Sequence, residues 1–232
     1  MKRFLTPILA LALLVVALVA VPVPRTDAQA GLVSSLYTRM QRNQQTLKSM
    51  SADISMDKYN SQIRDSDKFY GTVKYIPVGG KSAFVRLEWT KPQHEILVVA
   101  NGAYTLCRLR MSMCYVGTTN SIKSDKDSDV LALLNMSTSQ LQARFGEPQD
   151  LSKETLWGGV STDHFKVVPK GAANYSYIEV WVDSSGMPVQ TKMVEKNNDS
   201  TTVRLTNVAK NQPIPRTEFD YKPDPSFKKI KG

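Results

Sequence analysis

Cysteine and histidine are scarce in this chain, and their scarcity removes whole classes of chemistry. Its 232 residues hold two cysteines, Cys107 and Cys114, and two histidines, His94 and His164. Neither histidine has a second histidine or a cysteine at ligand spacing, so a metal site would need distant carboxylates to complete it. The nucleophile elbow G-x-S-x-G is missing, because Gly158-Gly159-Val160-Ser161-Thr162 puts threonine at the final glycine. Gly80-Lys81-Ser82 falls short of a phosphate loop: that pattern requires glycine where Tyr75 stands, and a helix where alternation predicts a strand. No catalytic constellation is left, which points to binding rather than turnover, with no cofactor; a hydrolase built on Asp163 or His164 is the residual enzymatic reading. There is no arginine-rich run, no aromatic-basic module and no internal repeat. Nucleic acid is therefore not an expected partner, despite a net charge of +9.

Long apolar runs are also rare, with one exception. Lys2-Arg3 precede an apolar stretch from Phe4 to Val23 that Pro22, Pro24 and Arg25 break, and Ala28-Gln29-Ala30 has the small-x-small form of a signal-peptidase site. The expectation is a signal peptide over residues 1–30, cleavage after Ala30 and export. An uncleaved anchor is the alternative, since the run approaches the ~20 residues that span a bilayer. Removing residues 1–30, which carry Lys2, Arg3 and Arg25 against Asp27, leaves a charge of +7. Such a protein favours anionic surfaces, either membrane headgroups or an acidic partner protein. Residues 31–232 read as one domain ending in a flexible tail. In an oxidising compartment Cys107 and Cys114 are disulfide candidates. If the chain turns near Arg110-Met111, their sulfurs face each other on neighbouring strands; two separate thiols are the alternative.

What the chain has in plenty is alternation. Ala52, Ile54 and Met56 begin it, and Phe69 to Ile76, Ala83 to Trp89, Ile96 to Ala100 and Ala103 to Leu109 continue it. Asn101-Gly102 joins the last two as a type I′ hairpin. Ala83, Val85, Leu87 and Trp89 share one face, and Arg86 and Glu88 the other. Leu32, Val33, Leu36, Tyr37, Met40, Leu47 and Met50 have helical spacing, so a first helix runs from Leu32 to Met50. Thr118 to Ser128 is polar and reads as a loop, and a short helix follows over Asp129 to Met136. Ser137-Thr138 caps another helix, carrying Leu141 and Phe145 and ended by Gly146-Glu147-Pro148. Strands return over His164 to Val168, Tyr175 to Val182, Pro188 to Val194, Thr201 to Val208 and Thr217 to Tyr221, and poor order is expected beyond Phe227. The expected fold is mainly β with α: a single curved antiparallel sheet, or open barrel, with helices on one side.

Several of these pieces, in this order, resemble the outer-membrane lipoprotein carrier family of the bacterial periplasm. They are the leader and first helix, Gly71-Thr72-Val73-Lys74-Tyr75, Val85-Arg86-Leu87-Glu88-Trp89-Thr90-Lys91-Pro92, Ile96 to Leu106, and Glu179-Val180-Trp181-Val182-Asp183 with Gly186-Met187-Pro188. The resemblance implies a half-open β-barrel closed by a helical lid, whose cavity accepts acyl chains. It implies a monomeric periplasmic carrier that takes a lipoprotein or lipid from an inner-membrane lipoprotein-releasing transporter to an outer-membrane acceptor. The cavity residues it implies are Val85, Leu87, Trp89, Val98, Leu106, Leu36, Met40 and Leu133. Arg86 matches the arginine of the same strand and, with Lys81, would latch the lid. One departure is that Ile76 stands before Pro77, where family members carry a basic latch residue; Lys81 is the nearest substitute. Met40, Met50, Met111, Met113 and Met136 are adaptable residues that suit a variable apolar ligand as well as ordinary core. The alternative function is an envelope sensor using a similar lipid-binding fold.

Overall fold

The alternation that starts at Met50 becomes β1 (Met50–Asn60), and the next four stretches become β2 (Asp65–Val78), β3 (Ser82–Lys91), β4 (Glu95–Ala100) and β5 (Ala103–Arg108). The computed structural model describes residues 25–78, 82–119 and 136–231. A 3₁₀ turn at Leu109–Met111 leads into β6 (Met113–Thr118). The second half supplies β7 (Gln149–Leu156), β8 (Val160–Val167), β9 (Tyr175–Asp183), β10 (Pro188–Glu195), β11 (Ser200–Lys210) and β12 (Lys228–Lys231). All twelve form one curved, unclosed sheet in the order β12-β6-β5-β4-β3-β2-β1-β11-β10-β9-β8-β7. Pairing is antiparallel except where β12 lies parallel to β6.

Local chemistry fixes the joints. Asn101 and Gly102 take φ of 51° and 75°, as a type I′ turn requires. Ser137 caps α2 (Thr138–Arg144) in a reciprocal capping box with Gln140. α1 runs over Arg25–Thr46, so it starts before the proposed cleavage point and stops before Met50, whose side chain belongs to the alternation of β1 instead. Cys107 and Cys114 sit directly opposite each other with Cα atoms 4.1 Å apart, the close kind of antiparallel pair, and they form a disulfide.

Two expectations need correction, and one strand was not expected. Thr217 to Tyr221 is not a strand: a 3₁₀ turn over Arg216–Phe219 follows Pro215. The chain beyond Phe227 is not left loose but adds β12 to the sheet edge. β7 escaped notice because it is an exposed edge strand with polar residues on both faces. Of the short helix expected over Asp129 to Met136, all but Met136 lies outside the described residues.

Cross-strand register sets one continuous apolar row, Ala52-Val73-Leu87-Leu97-Leu106-Tyr115, on what we call the inner face. The main core lies on this face, where Leu36 and Met40 of α1 and Leu141 of α2 meet Ile54, Leu205, Val180 and Phe165. A second, smaller cluster lies on the outer face. There Ile96 and Val98 are covered by Phe219, with Ile76, Phe84, Ile214 and Tyr221 around them.

Candidate functional site on the inner face

The inner face is largely apolar but unevenly covered. On β1 and β8–β11 its side chains are shut away: Ile54 is 3% exposed, Phe165 and Val203 0%. On β2–β6 the inward residues Val73, Tyr75, Val85, Leu97, Val99, Leu106 and Tyr115 are only half-buried, although Leu87 and Trp89 between them are buried. Phe69 stands edge-on to Trp89, 6.0 Å between ring centroids, and closes one end of this surface. An apolar strip of this kind, wide as several strands, offers hydrocarbon a place to leave water; its charges are gathered at the Trp89 end, where Glu95 and Arg108 pair with each other at 3.2 Å.

The helix that bounds the strip is tied down on the other half of the sheet. Arg39 forms an ion pair with Asp163 of β8, Lys210 of β11 reaches Asn43 at 3.2 Å, and Asn211 Oδ1 accepts from the Lys48 amide at 2.7 Å. Asp163 projects inward among buried residues and also binds Lys153 at 2.5 Å. Burial by itself would raise the Asp163 carboxyl, but hydrogen bonds and charge from Lys153 and Arg39 outweigh it and hold the group below the ordinary carboxylate range. Tyr37 of α1 is pushed the other way, up to about 12, by burial and by the charge of Glu147.

Because the folded pKa of Asp163 is depressed, its contribution is complete above the unfolded value of about 4 and disappears as pH falls through the folded one. Asp163→Asn should cost about 2 kcal/mol at pH 7, since it leaves Arg39 without its carboxylate. Denaturant melts should show the gap between variant and parent narrowing by pH 3; a gap of constant size would count against the assignment.

The structure divides the expected site residues. Val85, Leu87, Trp89 and Leu106 share the inner face, and Leu36 and Met40 meet that face from α1. Val98 does not join them. It pairs with Arg86 across β3 and β4, so it faces outward and is 5% exposed beneath the C-terminal segment, because neighbouring positions on a strand point to opposite faces. Arg86 is likewise not a latch for the helices. It donates to Glu88 at 2.8 Å and to the Glu218 carbonyl at 3.2 Å and lies over the Tyr221 ring, so it clasps the C-terminal segment. Lys81 and Leu133 lie outside the described residues. Met40 and Met50 are core, Met136 packs against it half-buried, and Met111 is exposed at the β5–β6 turn. The tie that does hold helix to sheet, Arg39 to Asp163, was missed. Its signal was present, for a carboxylate alternating with Phe165 and Val167 on a buried face demands a cation.

The histidines have local roles. His94 bonds Glu88 at 2.8 Å, and burial, which raises the Glu88 carboxyl, is outweighed by Arg86 and His94. His164 stacks on Trp181 with centroids 4.4 Å apart, on the outer face. Asp163 points inward, so the two cannot act on one substrate. Among the described residues no three His, Cys, Asp or Glu converge as a metal site.

The family model for the outer membrane lipoprotein carrier protein LolA matches residues 45–222, from the end of α1 through the segment that Arg86 clasps. The chain belongs to this family. No curated protein matches it. Among solved structures, an uncharacterised conserved protein of Thermus thermophilus is 9% identical with a TM-score of 0.56, over 87% of this chain and 99% of that one. The MucA/MucB complex of Pseudomonas aeruginosa gives 11% identity and a TM-score of 0.52, over 82% of this chain. The chain spans only 61% of the length of that MucA/MucB match. LprF of Mycobacterium bovis is 10% identical with a TM-score of 0.51, over 80% of this chain and 95% of that one. At these identities the likeness is one of fold.

Proposed function

We propose that this LolA-family protein is a periplasmic carrier without enzymatic activity, which holds the acyl chains of a lipoprotein or lipid against the inner face of β2–β6. In this reading it takes them from an inner-membrane lipoprotein-releasing transporter and delivers them to an outer-membrane acceptor, as a monomer exported by its leader. The observation that carries the proposal is the apolar strip through Val73, Leu97 and Leu106, half-buried where the rest of the inner face is closed. Exposing acyl chains to water costs about 0.8 kcal/mol per methylene, so a multiply acylated cargo needs an escort across an aqueous space.

The test is mass spectrometry of what extracts from the purified protein, compared with Leu106→Glu. Leu106 is the better site for the charge than Leu87, which is 4% exposed and would carry an unfolding penalty of its own. Leu106→Glu should lower bound acyl lipid at least about tenfold while the melting temperature shifts little. Equal lipid content in the two proteins would refute the carrier.

A regulatory reading has one observation in its favour, the likeness to MucB, which is known in complex with MucA. A carrier should pull down envelope transport components, whereas a sensor should pull down a membrane-bound regulator.

A further inference from the structure

The β7–β8 hairpin ends in a tip that the carrier function does not use. Leu156 is buried, 7% exposed, while the next residue, Trp157, is 86% exposed, the highest value among the exposed large apolar residues of the described chain. Gly158 and Gly159 complete the turn with φ of +88° and +80°, and a side chain on either would meet nothing within 4 Å. These glycines serve the tight turn, not packing. From Thr155 through Thr162 there is no charged residue, and Val160 opposite Leu156 is itself 38% exposed. The backbone that presents the indole is held: the Gly159 amide donates to the Leu156 carbonyl at 3.0 Å, and the Arg204 guanidinium donates to the Trp157 carbonyl. Among the described residues Arg204 has no carboxylate partner; its Nη2 donates to that carbonyl, its Nε is buried, and its positive charge stays beside the tip with the remaining Nη donors.

We propose that this tip is a docking point for the surface of an anionic phospholipid bilayer, with Trp157 seated at the boundary between headgroups and acyl chains and Arg204 on lipid phosphate. A neutral turn crowned by tryptophan enters that boundary without desolvating a charge, and indole favours it because one side is apolar and the other wet. The Arg204 guanidinium beside that indole offers lipid phosphate its remaining Nη donors and its charge. The net charge of +7 on residues 31–232 draws the protein toward such a surface. An acidic protein partner would want more than one free cation at the tip and no bare indole in front of it.

The chain reports on its own docking. Trp181 is 6% exposed and Trp89, 9% exposed, borders the acyl-binding strip, so a change in tryptophan emission at a membrane belongs to Trp157 where Leu106→Glu, which blocks that strip, shows it as well. The purified protein is titrated with vesicles of phosphatidylcholine and phosphatidylglycerol, with and without brominated acyl chains, and with phosphatidylcholine alone. The expected result is blue-shifted emission quenched by the brominated lipid on anionic vesicles, and binding weakened about tenfold in Trp157→Ala. Arg204→Gln should weaken binding and flatten its salt dependence, with a thermal melt confirming its fold. Leu106→Glu should bind vesicles as the parent does, which separates this contact from acyl-chain carriage. Emission unmoved by anionic vesicles overturns the proposal, as does Trp157→Ala binding as tightly as the parent, whether through residues 1–30 or another surface. Emission that responds to an acidic protein and not to vesicles also overturns it.

Discussion

Gly186→Ala should destabilise the protein by about 3 kcal/mol or more and release the middle of α1 from the sheet. Gly186 sits in the turn between β9 and β10 at φ +87°, a backbone region that alanine adopts only under strain. The larger obstacle is space. A Cβ there would stand 2.2 Å from the Arg39 carbonyl oxygen and 2.8 Å from the Met40 amide nitrogen. Both are helix backbone, so no rotamer change relieves the clash and the helix itself must move. The turn cannot give way either, because Asp183 Oδ1 accepts from the Ser185 amide at 2.8 Å and the Met187 amide at 2.9 Å, and the Gly186 amide donates to the Asp183 carbonyl at 3.0 Å. Displacing Arg39 pulls its guanidinium from Asp163, so two ties fail together. Denaturant melts measure the loss, and faster proteolysis within α1 shows where it falls. A variant within about 1 kcal/mol of the parent, with α1 equally protected, would mean that the helix does not press on this turn.

The β-sheet was legible because inner and outer residues alternate wherever one face is buried. Val85, Leu87 and Trp89 could be assigned to one face from period two alone, and register then carried that face to Leu97 and Leu106. The same rule should have sent Val98 outward, but β4 reads Ile96-Leu97-Val98-Val99, apolar on both faces, and alternation is silent there. The reason appears only in three dimensions: the segment from Ile214 to Tyr221 returns to cover the outer face, so Ile96 and Val98 are buried as thoroughly as inward residues. Arg86 was misread for the same cause, since its partner Glu218 is far along the chain. Edge strands were the other blind spot. β7 and β12 bury little on either face, and the lysines of β12 resemble a solvated tail although they also protect a sheet edge. The candidate site was thus readable as a face, while what anchors α1 beside it was not. Arg39 looks like any polar residue of an amphipathic helix until Asp163 is seen opposite it.

Gly71→Ala should also cost about 3 kcal/mol, for a reason that lies inside the proposed acyl-binding surface. Gly71 pairs with Trp89 just where the β2–β3 register shifts, and a Cβ there would be 2.1 Å from the Glu88 carbonyl oxygen and 3.0 Å from the Trp89 Cα. Strands lie about 4.8 Å apart, and glycine inside one marks a place where another backbone comes closer than a side chain permits. Alanine must therefore push β3 from β2, which tilts Leu87 and Trp89 and opens the Phe69 to Trp89 contact. Thr72→Ala, one residue on and exposed, should change stability by less than about 0.5 kcal/mol and serves as the control. If Gly71→Ala melts with the parent, β2 and β3 are not so close and the surface around Trp89 is differently built. If it loses stability and bound lipid together while Leu106→Glu loses lipid alone, then the spacing of β2 and β3 supports the surface, and apolar contact at Leu106 is what the cargo uses.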